Sequence, residues 1–172
     1  ELMQRDYRRI LLAYSIILSL PGTPVIYYGD EFGKLNDETY YNEMIQVTGK
    51  VDTRFLVRGK INWGELAENL LDPESLSSKV YEKLKYMLYI RNQHKTFGRG
   101  KLKFIKLPGY PDGKLLSFIR SYQDEQWMII HNLTDQLLPV TLPETANQAV
   151  DMLSGIKPHQ IEPYGFSWLK IS

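Results

Sequence analysis

The chain has 172 residues, of which 43% are hydrophobic and 12% aromatic, enough for a packed core and too many for wholesale disorder. Twenty-one basic against twenty acidic residues leave a net charge of +1 and no Lys/Arg run, which argues against nucleic acid or a membrane surface as partner. The absence of cysteine excludes a disulfide framework and any thiolate metal site, and it agrees with a cytoplasmic location.

Apolar spacing predicts a first helix from Asp6 to about Leu20. Ile10, Tyr14 and Ile17 form one stripe and Leu11, Ser15 and Leu18 another, so packing on more than one side is expected. The apolar run from Ile10 to Leu20 is shorter than the roughly 20 residues a bilayer span requires. Pro21 and Gly22 end the helix. Val25 to Tyr28 is then apolar on both faces, the pattern of a buried parallel strand, and Asp30 and Glu31 follow it. Residues 32–76 keep no sustained period and contain the breakers Gly33, Gly49, Gly59 and Pro73. A connection of that length is expected to be functional or to hold short helices of its own.

A second helix is predicted from about Ser77 to Asn92, with Val80, Leu84, Met87, Leu88 and Arg91 at helical spacing and Ser77 or Ser78 as N-cap. Gly98 and Gly100 close it. Short strands are then predicted over Leu102–Ile105, Leu115–Ile119, Trp127–Ile130, Leu138–Leu142, Ala149–Leu153 and Phe166–Ile171. Between them stand Pro111-Asp112-Gly113, Asp124-Glu125, Ser154-Gly155 and Pro163-Tyr164-Gly165 as turns. Regularly spaced short strands of this kind indicate an antiparallel β-sandwich, which places a domain boundary near residue 98.

Few residues invite a chemical role. Asp30 and Glu31 are adjacent carboxylates, but neighbours on a strand point to opposite faces and cannot converge on one bond. A loop-anchoring role is expected instead, with Glu31 as a buried hydrogen-bond acceptor. Arg58 could use its planar fork to pair with a carboxylate beside a sugar pocket, against the plainer reading of a surface arginine. Arg54 and Asp52 are lesser candidates in the same loop. His94, His131 and His159 share no metal-ligand spacing and read as structural, so no metal and no cofactor is expected. Trp127 and Trp168 read as sheet core, whereas Trp63, in the loop, suits either sugar stacking or packing. Asn132-Leu133-Thr134 fits a glycosylation acceptor, a pattern with many false positives. No phosphate-cradling glycine loop occurs.

Pro21-Gly22-Thr23-Pro24-Val25-Ile26-Tyr27-Tyr28-Gly29-Asp30-Glu31 resembles the last barrel strand of the α-amylase family, glycoside hydrolase family 13. The order of helix, strand, long loop, helix and sandwich is similar to the end of such an enzyme, and the resemblance covers nearly the whole chain. Arg58 stands five residues before Trp63, the spacing of the RTPMQW segment in trehalose synthases and oligo-1,6-glucosidases, although Val57-Arg58-Gly59-Lys60-Ile61-Asn62-Trp63 lacks its proline and methionine. Arg91, His94 and Gly100 resemble residues that close the last barrel helix, with Lys95 in place of the usual proline. Ile161 to Leu169 resembles the terminal strand of trehalose synthases.

The resemblance implies an α+β chain: residues 1–98 as the last strand and helices of a (β/α)8 barrel, and residues 99–172 as the β-sandwich called domain C. It implies retaining cleavage of α-glucosidic bonds by the whole enzyme, through an aspartate nucleophile and a glutamic acid roughly 5 Å apart. In the family these groups follow earlier barrel strands, and nothing here matches them. Catalytic residues are therefore expected to be absent, Arg58 is the candidate substrate-binding residue, and the chain is expected to be inactive alone. An α-glucoside would be a partner only through the full enzyme. A strand without neighbours leaves free backbone edges beside exposed Tyr27 and Tyr28, so self-association is expected, or else residues 1–60 poorly ordered or rearranged. The alternative reading is a free-standing carbohydrate-binding or structural interaction domain without catalysis.

Overall fold

The computed structural model describes residues 6–110 and 113–172, so Pro111 and Asp112 of the expected Pro111-Asp112-Gly113 turn lie outside the described residues. The fold is α+β. Among the described residues five α-helices come first: α1 (Tyr7–Ser19), α2 (Glu38–Thr48), α3 (Trp63–Leu71), α4 (Leu76–Gln93) and α5 (Lys95–Arg99). The strands follow: β1 (Lys101–Ile105), β2 (Leu115–Tyr122), β3 (Glu125–Asn132), β4 (Leu138–Pro139), β5 (Gln160–Ile161) and β6 (Phe166–Lys170). None of the helices among the described residues is long and apolar enough to cross a membrane. The described residues pack as two compact units, one of Ile26–Lys83 with Asp6 and Tyr7, the other of Arg8–Val25 and Leu84–Ser172.

In the first unit, α2 begins because the Asp37 carboxylate accepts the Tyr40 N–H at 2.9 Å, and it ends at Gly49, whose φ of 67° suits a residue without a Cβ. Gly59 passes close to the same cap, since a Cβ there would fall 2.0 Å from Asp37 Oδ2. Asn62 caps α3 by accepting the Glu65 N–H at 3.3 Å. The cap of α4 is Ser75, whose Oγ accepts the Ser78 N–H at 3.0 Å. That corrects the expected Ser77 or Ser78, which lie inside the first turn. Phe32, Leu66 and Val80 are the buried apolar side chains described in this unit.

The second unit is built on an antiparallel sheet in the order β1-β2-β3-β6, with β4 and β5 paired separately. Register places Phe118 opposite Ile129, and Ile129 opposite Trp168. One sheet face carries Met128, Ile130 and Leu169 against Val140, Ala146, Ala149 and Ile161 from the β4–β5 layer. On the other face Trp127 and Trp168 are fully buried beside Phe97, with ring centroids 4.9 and 4.8 Å from it. Side chains alternate across a strand, so a strand buried on both faces means that both sides of the sheet are covered. The tryptophans thus take the core positions that the alternation indicates.

Several expected elements differ. Val25–Tyr28 forms no strand: the segment is irregular and pairs with no strand among the described residues, with Val25 81% and Tyr27 and Tyr28 each 46% exposed. A parallel strand needs neighbours supplied by distant sequence, and local apolarity cannot replace them. Asp30 and Glu31 lie in a 3₁₀ helix, Asp30–Phe32, so the opposite-faces argument does not apply to them. Ala149–Leu153 contributes only an isolated bridge from Asp151 to Leu169, because the chain turns there with Gly155 donating its N–H to the Asp151 carbonyl at 2.7 Å. β4 is shorter than Leu138–Leu142. On α1 the Leu11, Ser15 and Leu18 stripe is buried, whereas Ile17 of the Ile10, Tyr14 and Ile17 stripe is exposed, so expected packing on more than one side is not met in full.

Candidate functional site

The expected site residues fall in the loop-rich first unit. Arg58 is exposed at the end of a 3₁₀ helix, Thr53–Val57. Just upstream, Arg54 Nε donates to both Asp52 oxygens at 2.8 and 2.9 Å, and its Nη2 donates to Oδ2 at 2.5 Å. The Arg54 side chain, then its backbone N–H, hold the Asp52 carboxyl down at about 2, with the Arg58 cation adding to the effect. Asp52, half-buried, and exposed Arg54 thus form an ion pair, with the exposed Arg58 charge acting on Asp52 from nearby. Trp63 opens α3 and is 67% exposed, so it is not packed.

At the other end of the loop, Gly29 has a φ of 92° and donates its N–H to Glu31 Oε2 at 2.8 Å. Glu31 therefore anchors the loop as an acceptor. A Cβ on Gly29 would lie 2.8 Å from Lys34 Cδ, so the lysine stem packs directly on the glycine. Lys34 Nζ is buried without a hydrogen-bond partner among the described residues. A cleft of about 420 Å³ opens beside it, lined by Phe32, Lys34, Lys60, Asn62, Glu65 and Ser77 among others. Such a surface offers donors, an acceptor and apolar contacts, the mixture that suits a polyhydroxylated ligand.

The histidines do not cluster, and among the described residues no group of three or more His, Asp or Glu side chains converges as a metal site. His159 is exposed. His94 Nδ1 lies 2.5 Å from Glu125 Oε1, and its ring meets the edge of Trp127 at 4.6 Å. Burial opposes ionisation of Glu125, but donation from Thr96, contact with His94 and the Lys170 ammonium hold its carboxyl below the usual range. His131 is fully buried, with Nε2 2.9 Å from Ser15 Oγ, which also accepts the Trp168 Nε1–H at 2.9 Å. Burial pushes the His131 imidazole down to about 4. Backbone contacts at Ser15 and Leu116 oppose that effect, but Nδ1 is left without a bond of full geometry.

Two arginines outside the expected site residues hold the end of α1. Arg91 donates through Nη1 to the Leu18 carbonyl and through Nη2 to the Gly22 carbonyl at 2.7 Å. Arg120, fully buried on β2, donates to the carbonyls of Ser19, Thr96, Phe97 and Gly100, the last three at 2.8, 2.9 and 3.0 Å. Carbonyls at a helix C-terminus lack intrahelical partners and carry the negative end of the dipole, so the two cations satisfy that end of α1. Burial, and then the nearby Arg91 charge, push Arg120 down to about 10. A helix-period arginine near the end of α4 was a visible signal for Arg91; an arginine within a strand offered none for Arg120.

Asn132 of the glycosylation pattern is buried. Its Nδ2 donates to the carbonyls of Gln136, Ile161 and Glu162, and its Oδ1 accepts from Thr134 N and Oγ1. In the folded chain it organises loops and is no acceptor for a glycan.

No protein-family model matches the chain. It is 32% identical over 128 residues to alpha-amylase 3 of Dictyoglomus thermophilum, covering 72% of this chain and 25% of that protein. It is 26% identical over 165 residues to trehalose synthase of Thermus thermophilus, covering 87% of this chain and 17% of that protein. Among solved structures, AmyP in complex with maltose matches with a TM-score of 0.71 at 18% identity, over 96% of this chain and 35% of that one. The maltogenic amylase from S. marinus matches with a TM-score of 0.66 at 22% identity, over 96% of this chain and 19% of that one. At those identities the structures speak for the fold, and the sequence relatives carry the family. The chain belongs to the α-amylase family, glycoside hydrolase family 13, with trehalose synthases among its relatives. It spans 17% and 25% of the length of the two curated relatives described.

Proposed function

We propose that the chain is the C-terminal part of a retaining enzyme acting on maltose or α-glucans, by trehalose synthase-like glucosyl transfer or by hydrolysis, and that it supports the barrel without turning over substrate itself. Residues 1–98 then supply the last strand and helices of the barrel, and residues 99–172 supply domain C. One observation carries the reading: Val25–Tyr28 is apolar on both faces, exposed, and unpaired among the described residues, as a barrel strand is before its neighbours join it. The local chemistry agrees. Retaining cleavage takes two carboxyl groups about 5 Å apart across a sugar, yet Glu31 accepts from Gly29 and Asp52 is held by Arg54. Arg58 is assigned to substrate binding in the whole enzyme, where its exposed guanidinium remains available to a sugar hydroxyl or a carboxylate.

Light scattering after size exclusion tests the unpaired strand. The isolated chain is expected to run above its 20.1 kDa monomer mass, and Val25→Asp with Tyr27→Asp is expected to restore the monomer. A wild-type chain that stays monomeric at every concentration would overturn this reading of the segment.

A further inference from the structure

The sheet of the second unit has two edges, and the chain treats them differently. At β6 the outer side is met by the turn at Asp151. Met152 donates its N–H to the Trp168 carbonyl at 2.9 Å, and the Trp168 N–H donates to Asp151 Oδ1 at 2.8 Å. At β1 only the inner side is paired, from Lys101 opposite Ser121 to Ile105 opposite Ser117. Its outer side meets no strand among the described residues. An unpaired edge is a template for another strand, and folded proteins usually blunt it with a bulge, a proline, a cover or charge. β1 runs one to one against β2 without a bulge, contains no proline and is exposed at Lys101, Lys103 and Phe104, so charge is the device that remains.

Charge alone leaves one side chain unexplained. Side chains alternate across a strand, so Lys101 and Lys103 share one face of β1, and Leu102 and Phe104 share the other. Phe104 is 62% exposed, although Phe118, opposite it on β2, is fully buried with its ring edge-on at 5.9 Å. The buried row of Trp168, Ile129 and Phe118 thus runs on to the edge of the sheet and ends there on an open ring. On the lysine face the cross-strand neighbours are Ser121 and Ile119, and neither lysine meets an acid among the described residues.

We propose that β1 is a docking edge for an extended acidic segment of another protein, which adds to the sheet as a further strand. Backbone groups along the free edge form the ladder. Carboxylates on alternate residues of the segment face Lys101 and Lys103, and the apolar residues between them cover Leu102 and Phe104. A second copy of β1 is the wrong partner. Two-fold pairing would set four ammonium groups on one face without a carboxylate, and like charges across strands oppose it.

Fluorescence anisotropy of the 172-residue chain with a labelled octapeptide of alternating glutamate and isoleucine tests the proposal. One control peptide carries lysine in place of glutamate. Another keeps the composition but places the glutamates and the isoleucines in separate blocks. The alternating acidic peptide is expected to bind about tenfold more tightly than either control. Lys101→Glu combined with Lys103→Glu is expected to weaken that binding about tenfold, the scale of two cross-strand charge pairs reversed in sign. The same variant should take up the lysine peptide, with unchanged thermal unfolding because both positions are exposed. The proposal is overturned if the wild type leaves the alternating acidic peptide unbound, if the block peptide binds as tightly, or if the charge-reversed chain keeps wild-type affinity for the acidic peptide. None of these outcomes bears on the barrel-support reading, which is decided by molecular mass and turnover.

Discussion

Acidification from pH 6.5 to pH 4 is expected to cost the fold about 3 kcal/mol through His131 alone, at about 1.4 kcal/mol for each tenfold change in proton affinity. The unfolded imidazole takes its proton near 6.5, whereas the buried one, between Phe118 and Phe166 and bonded to Ser15, resists until about 4. Between those values the unfolded state holds more protons, so stability falls as pH falls. Above 6.5 both states are neutral at this residue and the full contribution is present. Glu125, whose folded value is lowered, acts in the same direction in the more acidic range. Urea unfolding measured at intervals across this range checks the expectation. His131→Gln, which does not titrate, should lie below wild type at pH 7 and flatten the dependence between pH 6.5 and 4. Parallel curves for the two proteins would contradict it.

Arg120→Met is expected to destabilise the chain by about 3 kcal/mol, the scale for breaking a buried charged network. The substitution strands four carbonyls, of Ser19, Thr96, Phe97 and Gly100, in a site without solvent. Relief of repulsion from Arg91 offsets part of the loss. Arg120→Lys keeps the charge but not the planar fork that serves several carbonyls at once, and it should recover only part of the difference. The shift of the urea midpoint at unchanged slope gives the measurement. A loss below about 0.5 kcal/mol, the range of ordinary surface changes, would show that the network is dispensable.

Where side-chain period and burial are local matters, the sequence was legible. α1 and α4 fall within a residue or two of their expected bounds, and Trp127 and Trp168 occupy core positions, because each reports a repeat contained in a few turns or one strand. Val25–Tyr28 failed for the opposite reason. Its apolar pattern is real, but a ladder depends on partners that no short window contains. β5 has two residues, too few for any period, and the Ala149–Leu153 run yields to the turn at Asp151. Arg120 was illegible since a strand arginine normally signals solvent, whereas here carbonyl geometry from α1 and α5 captures it. At the candidate site, Glu31 takes the acceptor role that its position suggested, though from a 3₁₀ helix rather than a strand. The link between Arg58 and Asp52 needed the loop's folded path.

On the proposed function the chain is part of a carbohydrate enzyme and turns over no substrate by itself. Incubating the purified chain with maltose and with starch, and measuring glucose, trehalose and new reducing ends over time, tests that claim most directly. The account predicts no release above buffer at any concentration of the chain; sustained turnover proportional to the amount of chain would contradict it.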